Sequence, residues 1–116
     1  MSVALVLHPD GDVMELNLPA NVKDNLTTLR KAIGCRLVDV VALTDRLDMW
    51  IDDEGVYEQA VNPVATALAR RFGFRWQDYY GPVVLCSVDS DGNSIDLTRD
   101  QLHGLLTSLA DVIGGI

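Results

Sequence analysis

The sequence predicts an α+β domain in which a mostly antiparallel sheet of five or more strands carries three helices packed on one face. Strand-length apolar runs come in pairs across tight turns, and each pair is followed by a stretch with helical apolar spacing. Cap residues stand at the ends of the helical stretches. This order occurs three times, so we expect three hairpin-then-helix units in a single domain over residues 1–116.

The first unit begins with a strand over residues 2–8, a hairpin turn at residues 9–12 and a second strand over residues 13–18. Asn21 is placed to cap the following helix, and Gly34 is placed to end it. The apolar residues of this helix recur at helical spacing: Val22, Leu26, Leu29 and Ile33. Such spacing predicts one apolar face that packs against the rest of the domain.

The second unit pairs a strand over residues 37–43 with one over residues 47–51. The two-residue period of a strand places Met49 and Trp50 on opposite faces of the sheet. The acidic turn that follows is interpreted as the start of a further short strand over residues 53–58.

Capping signals define the other two helices. Asn62 followed by Pro63 starts a helix that runs to about residue 72, because proline at the first helical position lacks no hydrogen bond that the helix would use. Thr98 and Gln101 fit a capping box at the start of the last helix. The apolar stripe of the last helix consists of Leu102, Leu105, Leu106, Leu109 and Ile113. Leu106 is expected to be fully buried.

The third hairpin joins residues 83–88 to residues 94–97 through a loop at residues 89–93. This loop resembles the front of a calcium loop, because oxygen ligands alternate around a glycine turn. A calcium loop needs glutamate at its twelfth position, which is Asp100 here, and the helix-loop-helix frame is missing. We therefore interpret the loop as a hairpin turn and expect no metal.

Nine basic and seventeen acidic residues give a net charge of −8, which disfavours nucleic acid as a partner. The apolar runs are strand-length, so no membrane span is expected. The N-terminus begins like a strand rather than a secretion signal, and a cytoplasmic location follows as the default. Cys35 and Cys86 are interpreted as reduced core residues rather than a disulfide.

Carboxylates crowd the segment of residues 48–58. The five acidic residues of this segment are Asp48, Asp52, Asp53, Glu54 and Glu58. Such density attracts basic surfaces at long range, so we expect these residues to contact a protein partner. The alternative is a solvated turn, in which Asp53 is an exposed residue of little weight for stability.

A small anionic ligand of the nucleotide type is the second hypothesis. The free N–H groups of the helix that starts at Asn62 could receive a phosphate, with Trp50 and Tyr57 available for stacking and Arg36 for charge. The competing interpretation is that Asn62 only caps its helix and that Trp50 is half-buried.

Signals for catalysis are few. The two histidines, His8 and His103, have no metal-ligand spacing, and no nucleophile elbow or phosphate-cradling glycine loop is present. Adjacent acids in a glycine turn are usually solvated. We therefore expect no enzyme activity and no cofactor.

The segment of residues 65–81 resembles the first helix and turn of a helix-turn-helix, but residues 75–80 allow under two turns for a recognition helix. Sequence-specific DNA binding is therefore disfavoured. Beside the acidic segment, the next surface to consider consists of Arg70, Arg71, Arg75 and Trp76.

Several short motifs together resemble a known family. They are the Asp10-Gly11 turn, the Glu54-Gly55 turn, Asn62 with Ala65-Thr66 at a helix start, and residues 81–84 near the last hairpin. This pattern resembles a domain-of-unknown-function family of small proteins encoded mainly by bacteriophages, plasmids and actinobacterial genomes. The resemblance implies an accessory protein of a mobile element and supplies no known reaction.

Two hypotheses follow. The first is a non-enzymatic, acidic protein-interaction module that tunes or blocks a host protein, with homodimerisation left open. The second is a small-ligand binder that uses the Asn62 helix start.

Overall fold

Six strands and four helices, described by a computed structural model over residues 3–115, follow one another in the order expected of three hairpin-then-helix units. The expected strand start at Ser2 lies outside the described residues. The side chain of Val22 is not described either, so its expected core contact also lies outside. The strands are β1 (Ala4–Leu7), β2 (Val13–Leu16), β3 (Val38–Thr44), β4 (Leu47–Asp52), β5 (Val83–Val88) and β6 (Ser94–Ile95). The helices are α1 (Asn25–Ile33), α2 (Gly55–Glu58), α3 (Pro63–Arg71) and α4 (Arg99–Gly114), with a 3-10 turn at Val22–Asp24 before α1.

All strands belong to one antiparallel sheet with the order β2-β1-β5-β4-β3, and β6 pairs with the end of β5. Strands β1, β5 and β4 lie inside the sheet with β5 at its centre, whereas β2 and β3 are at the two ends of the strand order. The predicted α+β class and the mostly antiparallel sheet of five or more strands are confirmed.

The helices pack on both faces of this sheet, so the prediction that all of them share one face is wrong. In β1, Leu5 and Leu7 contact the core under α3 and α4, while Ala4 and Val6 contact the core under α1. Strand β5 divides its side chains between the same two cores. The physical reason is that a central strand with apolar residues at every position needs cover on both sides.

Helix α4 packs through Leu105, Leu109 and Val112, which recur at helical spacing on one face. Leu106, expected to be fully buried, is 45% exposed, and Ile113 is exposed as well. Successive helical residues point about 100° apart, so Leu105 and Leu106 cannot both face the sheet.

The same geometry corrects helix α1, in which Asn25, Leu29 and Ile33 are buried and Leu26 is exposed. Residues 53–58, expected to form a strand, instead contain the single helical turn α2. A Cβ on Gly55 would lie 3.0 Å from the Tyr80 backbone oxygen, so this turn packs closely against the segment before β5. Among the described residues, no helix is both long and apolar enough to cross a membrane.

Candidate functional site

An acidic groove of about 430 Å³ opens where β3 and β4 meet α2 and the segment that leads into β5. Its lining comprises Asp39, Ile51, Asp52, Asp53, Val56, Gln77, Asp78, Tyr79 and Tyr80. Four of these residues are aspartates and none is basic. We use the name acidic groove for this set of residues.

The groove is assembled from three separate parts of the chain. Asp39 of β3 lies opposite Ile51 of β4, and the Asp53 amide donates a hydrogen bond to Leu37 O at 3.0 Å. The third part is fixed by Tyr79, which is buried and whose amide donates to Thr66 Oγ1 of α3 at 2.9 Å. Hydrogen bonds to neighbouring strands and to α3 therefore hold the parts of the groove in place.

Asp39, Asp53 and Asp78 are the exposed acids of this groove. Asp78 makes a 3.5 Å contact with Arg70, and both side chains are about half exposed, so the contact is weak. The structure confirms Asp53 as an exposed turn residue. Asp39 and Asp78 were not among the predicted site residues, because they are distant in sequence and neither belongs to a run of acids.

Asp52 has a structural role instead, so its expected part in an exposed contact surface is wrong. Asp52 is 8% exposed, and its two carboxylate oxygens accept hydrogen bonds from the Glu54 amide at 2.8 Å and from Gln59 Nε2 at 2.5 Å. These bonds tie the end of β4 to the segment after α2. A carboxylate that is mostly buried and already accepts two internal hydrogen bonds is poorly placed to contact a partner.

The other predicted acids are spread over different surfaces. Asp48 is half-buried, and burial raises its pKa. Its place in β4, two residues before Trp50, puts its side chain on the α1 face of the sheet. Glu54 and Glu58 line a second groove, on the α1 side. The predicted acidic segment is therefore not one continuous contact surface.

The second groove, of about 510 Å³, has mixed charge. It is lined by Thr27, Arg30, Lys31, Gly34, Cys35, Arg36, Asp52, Glu54 and Glu58. Arg36 forms a 3.2 Å ion pair with Glu54, so the charges here compensate one another. Burial, followed by the nearby Asp52 carboxylate, raises the pKa of the Cys35 thiol, which makes it a weak nucleophile.

Asn62 offers no exposed atom to a ligand, since it is 0% exposed. Its Nδ2 donates to Leu7 O at 3.0 Å and to Gly81 O at 2.8 Å, while its Oδ1 accepts the Ala65 amide at 2.9 Å. Asn62 is therefore the cap of α3 and a link between three parts of the chain. The helix start proposed for an anion is closed by the protein itself.

The remaining residues of the ligand hypothesis lie apart. Trp50 is half-buried beside the core under α1, where its Nε1 donates to Ser94 Oγ at 3.2 Å. Tyr57 projects from α2 and is 85% exposed. Arg36 lines the mixed-charge groove, and the linings of the two grooves include none of the other three residues.

The metal and DNA-binding alternatives also gain no site. Asp89 accepts the amides of Asp91 and Asn93, each at 2.9 Å, so its loop closes on itself as a hairpin turn. Across residues 3–115, no group of three or more His, Cys, Asp or Glu side chains is arranged to hold a metal ion. No second helix follows α3 before β5, a stretch that is fully described.

A family model described as Domain of unknown function (DUF3846) matches residues 1–110, nearly the whole chain. The chain belongs to DUF3846. This membership confirms the predicted resemblance to a domain of unknown function, and it assigns no activity to this DUF3846 chain. Neither curated proteins nor solved structures match the chain.

Proposed function

We propose that this chain is a non-enzymatic, acidic protein-interaction module, encoded by a phage or another mobile element, that tunes or blocks a host protein in the cytoplasm. The observation that supports the proposal most is the acidic groove. Its three exposed carboxylates, those of Asp39, Asp53 and Asp78, come from separate segments and face one opening without a basic residue in the lining.

Exposed apolar side chains next to these carboxylates strengthen the proposal. Val56 lines the groove and is exposed, and Tyr57 beside it projects from α2. Protein interfaces combine aromatic and aliphatic anchors with charged groups around them, and the charges set partner choice and association rate. A partner with a basic and partly apolar surface fits this groove best.

The remaining support concerns context. A net charge of −8 favours rapid encounter with basic surfaces. Both cysteines are free thiols, which suits a reducing compartment such as the cytoplasm. Single-domain size and DUF3846 membership are compatible with an accessory role.

The test is a pair of charge-reversal variants with equal net charge. Asp39→Lys with Asp53→Lys changes the acidic groove, whereas Asp12→Lys with Glu15→Lys changes exposed acids around β2, at the opposite edge of the sheet. Each reversal adds two charges, so both variants have a net charge of −4. Thermal melts establish that each variant is folded.

Partners captured from the natural host are then measured kinetically at two salt concentrations. We expect the groove variant to lose most of its affinity at both salt concentrations, while the control variant loses only the few-fold part that follows the net charge, and only at the lower salt concentration. Equal behaviour of the two variants would place the contact elsewhere, with Arg70, Arg71, Arg75 and Trp76 as the next surface.

A further inference from the structure

Strand β3 is an open edge of the sheet, bonded to β4 on one side only. The hydrogen bond from the Asp53 amide to Leu37 O fixes the alternation of this antiparallel ladder. Asp39 and Val41 therefore bond inward to β4, whereas Val38, Val40 and Ala42 direct their N–H and C=O groups away from the sheet. These outward groups are a template on which another strand can pair.

One of the outward groups is occupied by a side chain. Asp39 Oδ1 accepts the hydrogen bond of the Val40 amide at 2.8 Å. Asp39 also lines the acidic groove, so the same carboxylate belongs to both the edge and the groove. The Val40 amide is therefore available to another strand only when the Asp39 carboxylate turns away from it.

We propose that the β3 edge receives an extended, basic segment of a protein partner as an added antiparallel strand, with the cationic side chains of that segment directed toward the acidic groove. This inference rests on the proposed function and specifies how the partner binds. Backbone hydrogen bonds supply affinity in this mode of recognition, and alternate side chains supply specificity.

The two faces of β3 define the sequence pattern of the occupant. Asp39 is on the face of the acidic groove, where cationic residues of the added strand would point. Val40, which is 39% exposed, and Ala42 are on the other face, where apolar residues of the added strand would pack. The pattern is therefore an alternation of cationic and apolar residues, as the two-residue period of a strand requires.

Charge and register limit the occupant further. A second copy of this chain would bring another charge of −8 to an acidic edge, so charge complementarity favours a basic partner over self-association. The register of β3 shifts between Ala42 and Thr44, which breaks the regular edge. Residues 38–42 are thus the stretch available for pairing, long enough for a short strand.

The test uses an eight-residue peptide of alternating lysine and valine with blocked ends, measured by calorimetry at about 0.15 M salt. In the proposed antiparallel register, the valines lie opposite Val38, Val40 and Ala42, and their amides point to β3. Methylation of the valine nitrogens should therefore weaken binding by about tenfold or more, because two or three backbone bonds are lost. Methylation of the backbone nitrogens of the lysine residues is the matched control. These amides point to solvent, so this change should leave binding nearly unchanged.

Variants of the protein give a second readout. Val40→Pro removes an outward amide at the β3 edge and should weaken binding about tenfold. Glu15→Pro is the control, because the hydrogen bond from the His8 amide to Asp12 O places the Glu15 amide outward at the β2 edge. If Val40→Pro fails to fold, the methylated peptides still decide the question with the unchanged protein.

The outcomes separate this inference from the proposed function. Failure of the peptide to bind, or equal binding of both methylated peptides, overturns strand addition at β3. If binding also falls with Asp39→Lys and Asp53→Lys while both methylated peptides bind as the parent peptide does, the acidic groove stands as the contact and only the strand geometry is wrong. If the captured host partner binds the groove variant as tightly as it binds the parent protein, the proposed function is wrong instead.

Discussion

Asn62 shows how one residue type can satisfy several needs at a single position. Its side chain caps α3 and donates hydrogen bonds to two carbonyl groups, one at the end of β1 and one just before β5. The sequence predicted the capping bond, because Asn before Pro at a helix start is a local pattern. The two donated bonds depend on Leu7 and Gly81, which no local pattern connects to Asn62.

The variants Asn62→Ala and Asn62→Asp test this double role. Asn62→Ala removes three buried hydrogen bonds, those with the Ala65 amide and with the Leu7 and Gly81 carbonyls, so we expect a loss of about 3 kcal/mol or more of unfolding free energy. Asn62→Asp retains the cap but turns a carboxylate oxygen toward two carbonyl oxygens. We expect it to be at least as unstable as the alanine variant near neutral pH.

Acid should separate the two Asn62 variants. A protonated aspartic acid can donate a hydrogen bond, and the folded protein would hold this carboxyl at a raised pKa because the site is buried. The stabilising contribution of the proton is present at low pH and is lost as pH rises. Urea melts at pH 4 and pH 7 should show the aspartate variant gaining relative to the alanine variant in acid. Parallel pH profiles would show that the two donated bonds have little weight.

Cys86 gives a pH prediction at high pH. Burial raises the pKa of its thiol from 9.0 to about 11. Between pH 9 and pH 11 the unfolded chain loses this proton while the folded protein keeps it, so stability falls through that window by roughly 2 to 3 kcal/mol. Cys86→Ala should give a flatter profile in urea melts over the same range. A thiol whose pKa is about 11 is also about one part in a thousand thiolate at pH 8, so alkylation of Cys86 should be slow in the folded protein.

At the scale of elements, the positions of helices and turns could be predicted from the sequence. The buried face of each helix could be predicted only in part. The capping box of α4 forms as predicted, with bonds in both directions between Thr98 and Gln101. The leucines of α4 fit two overlapping stripes in the sequence, and only tertiary packing against α3 and the sheet selects one. Tertiary packing also decides the structure after the second hairpin. There α2 replaces the expected strand and packs against Tyr80, a residue distant in sequence.

Neighbouring leucines of α4 provide a matched pair for this point. Leu105 is 4% exposed and Leu106 is 45% exposed. We expect Leu105→Ala to cost about 2 to 5 kcal/mol of unfolding free energy and Leu106→Ala less than about 1 kcal/mol. Denaturant melts measure both values, and helix propensity affects the two variants equally. A larger loss for Leu106→Ala would mean that α4 is rotated about its axis.

At the scale of the whole molecule, the order of units was predictable but the order of strands was not. Strand pairing across a hairpin is local, whereas the contact of β1 with β5 joins residues about eighty positions apart. The uninterrupted apolar runs of β1 and β5 are typical of central strands covered on both faces, and this signal was present in the sequence. The acidic groove depends on the same long-range order, which explains why Asp39 and Asp78 were not predicted.

The summed charge of the molecule and the local contacts of the acidic groove should affect different rate constants. Asp12→Asn with Glu15→Gln and Asp39→Asn with Asp53→Asn each change the net charge from −8 to −6, since each substitution removes one charge. At low salt, the association rate constant of the lysine-valine peptide should be about two to three times lower for both variants, because electrostatic steering follows the total field of the molecule. Only the groove variant should dissociate faster, by about tenfold, since only it loses contacts that must break on release.

Stopped-flow measurements over a range of salt concentrations distinguish the two effects. At about 0.5 M salt, screening shortens the reach of the field to a few ångströms, so the loss of association rate caused by either pair of substitutions should disappear. The difference in dissociation rate should persist, because the contacts in the groove are closer than the screening length. Equal dissociation rates for the two variants would mean that the peptide is held by the overall charge of the molecule and not by Asp39 and Asp53.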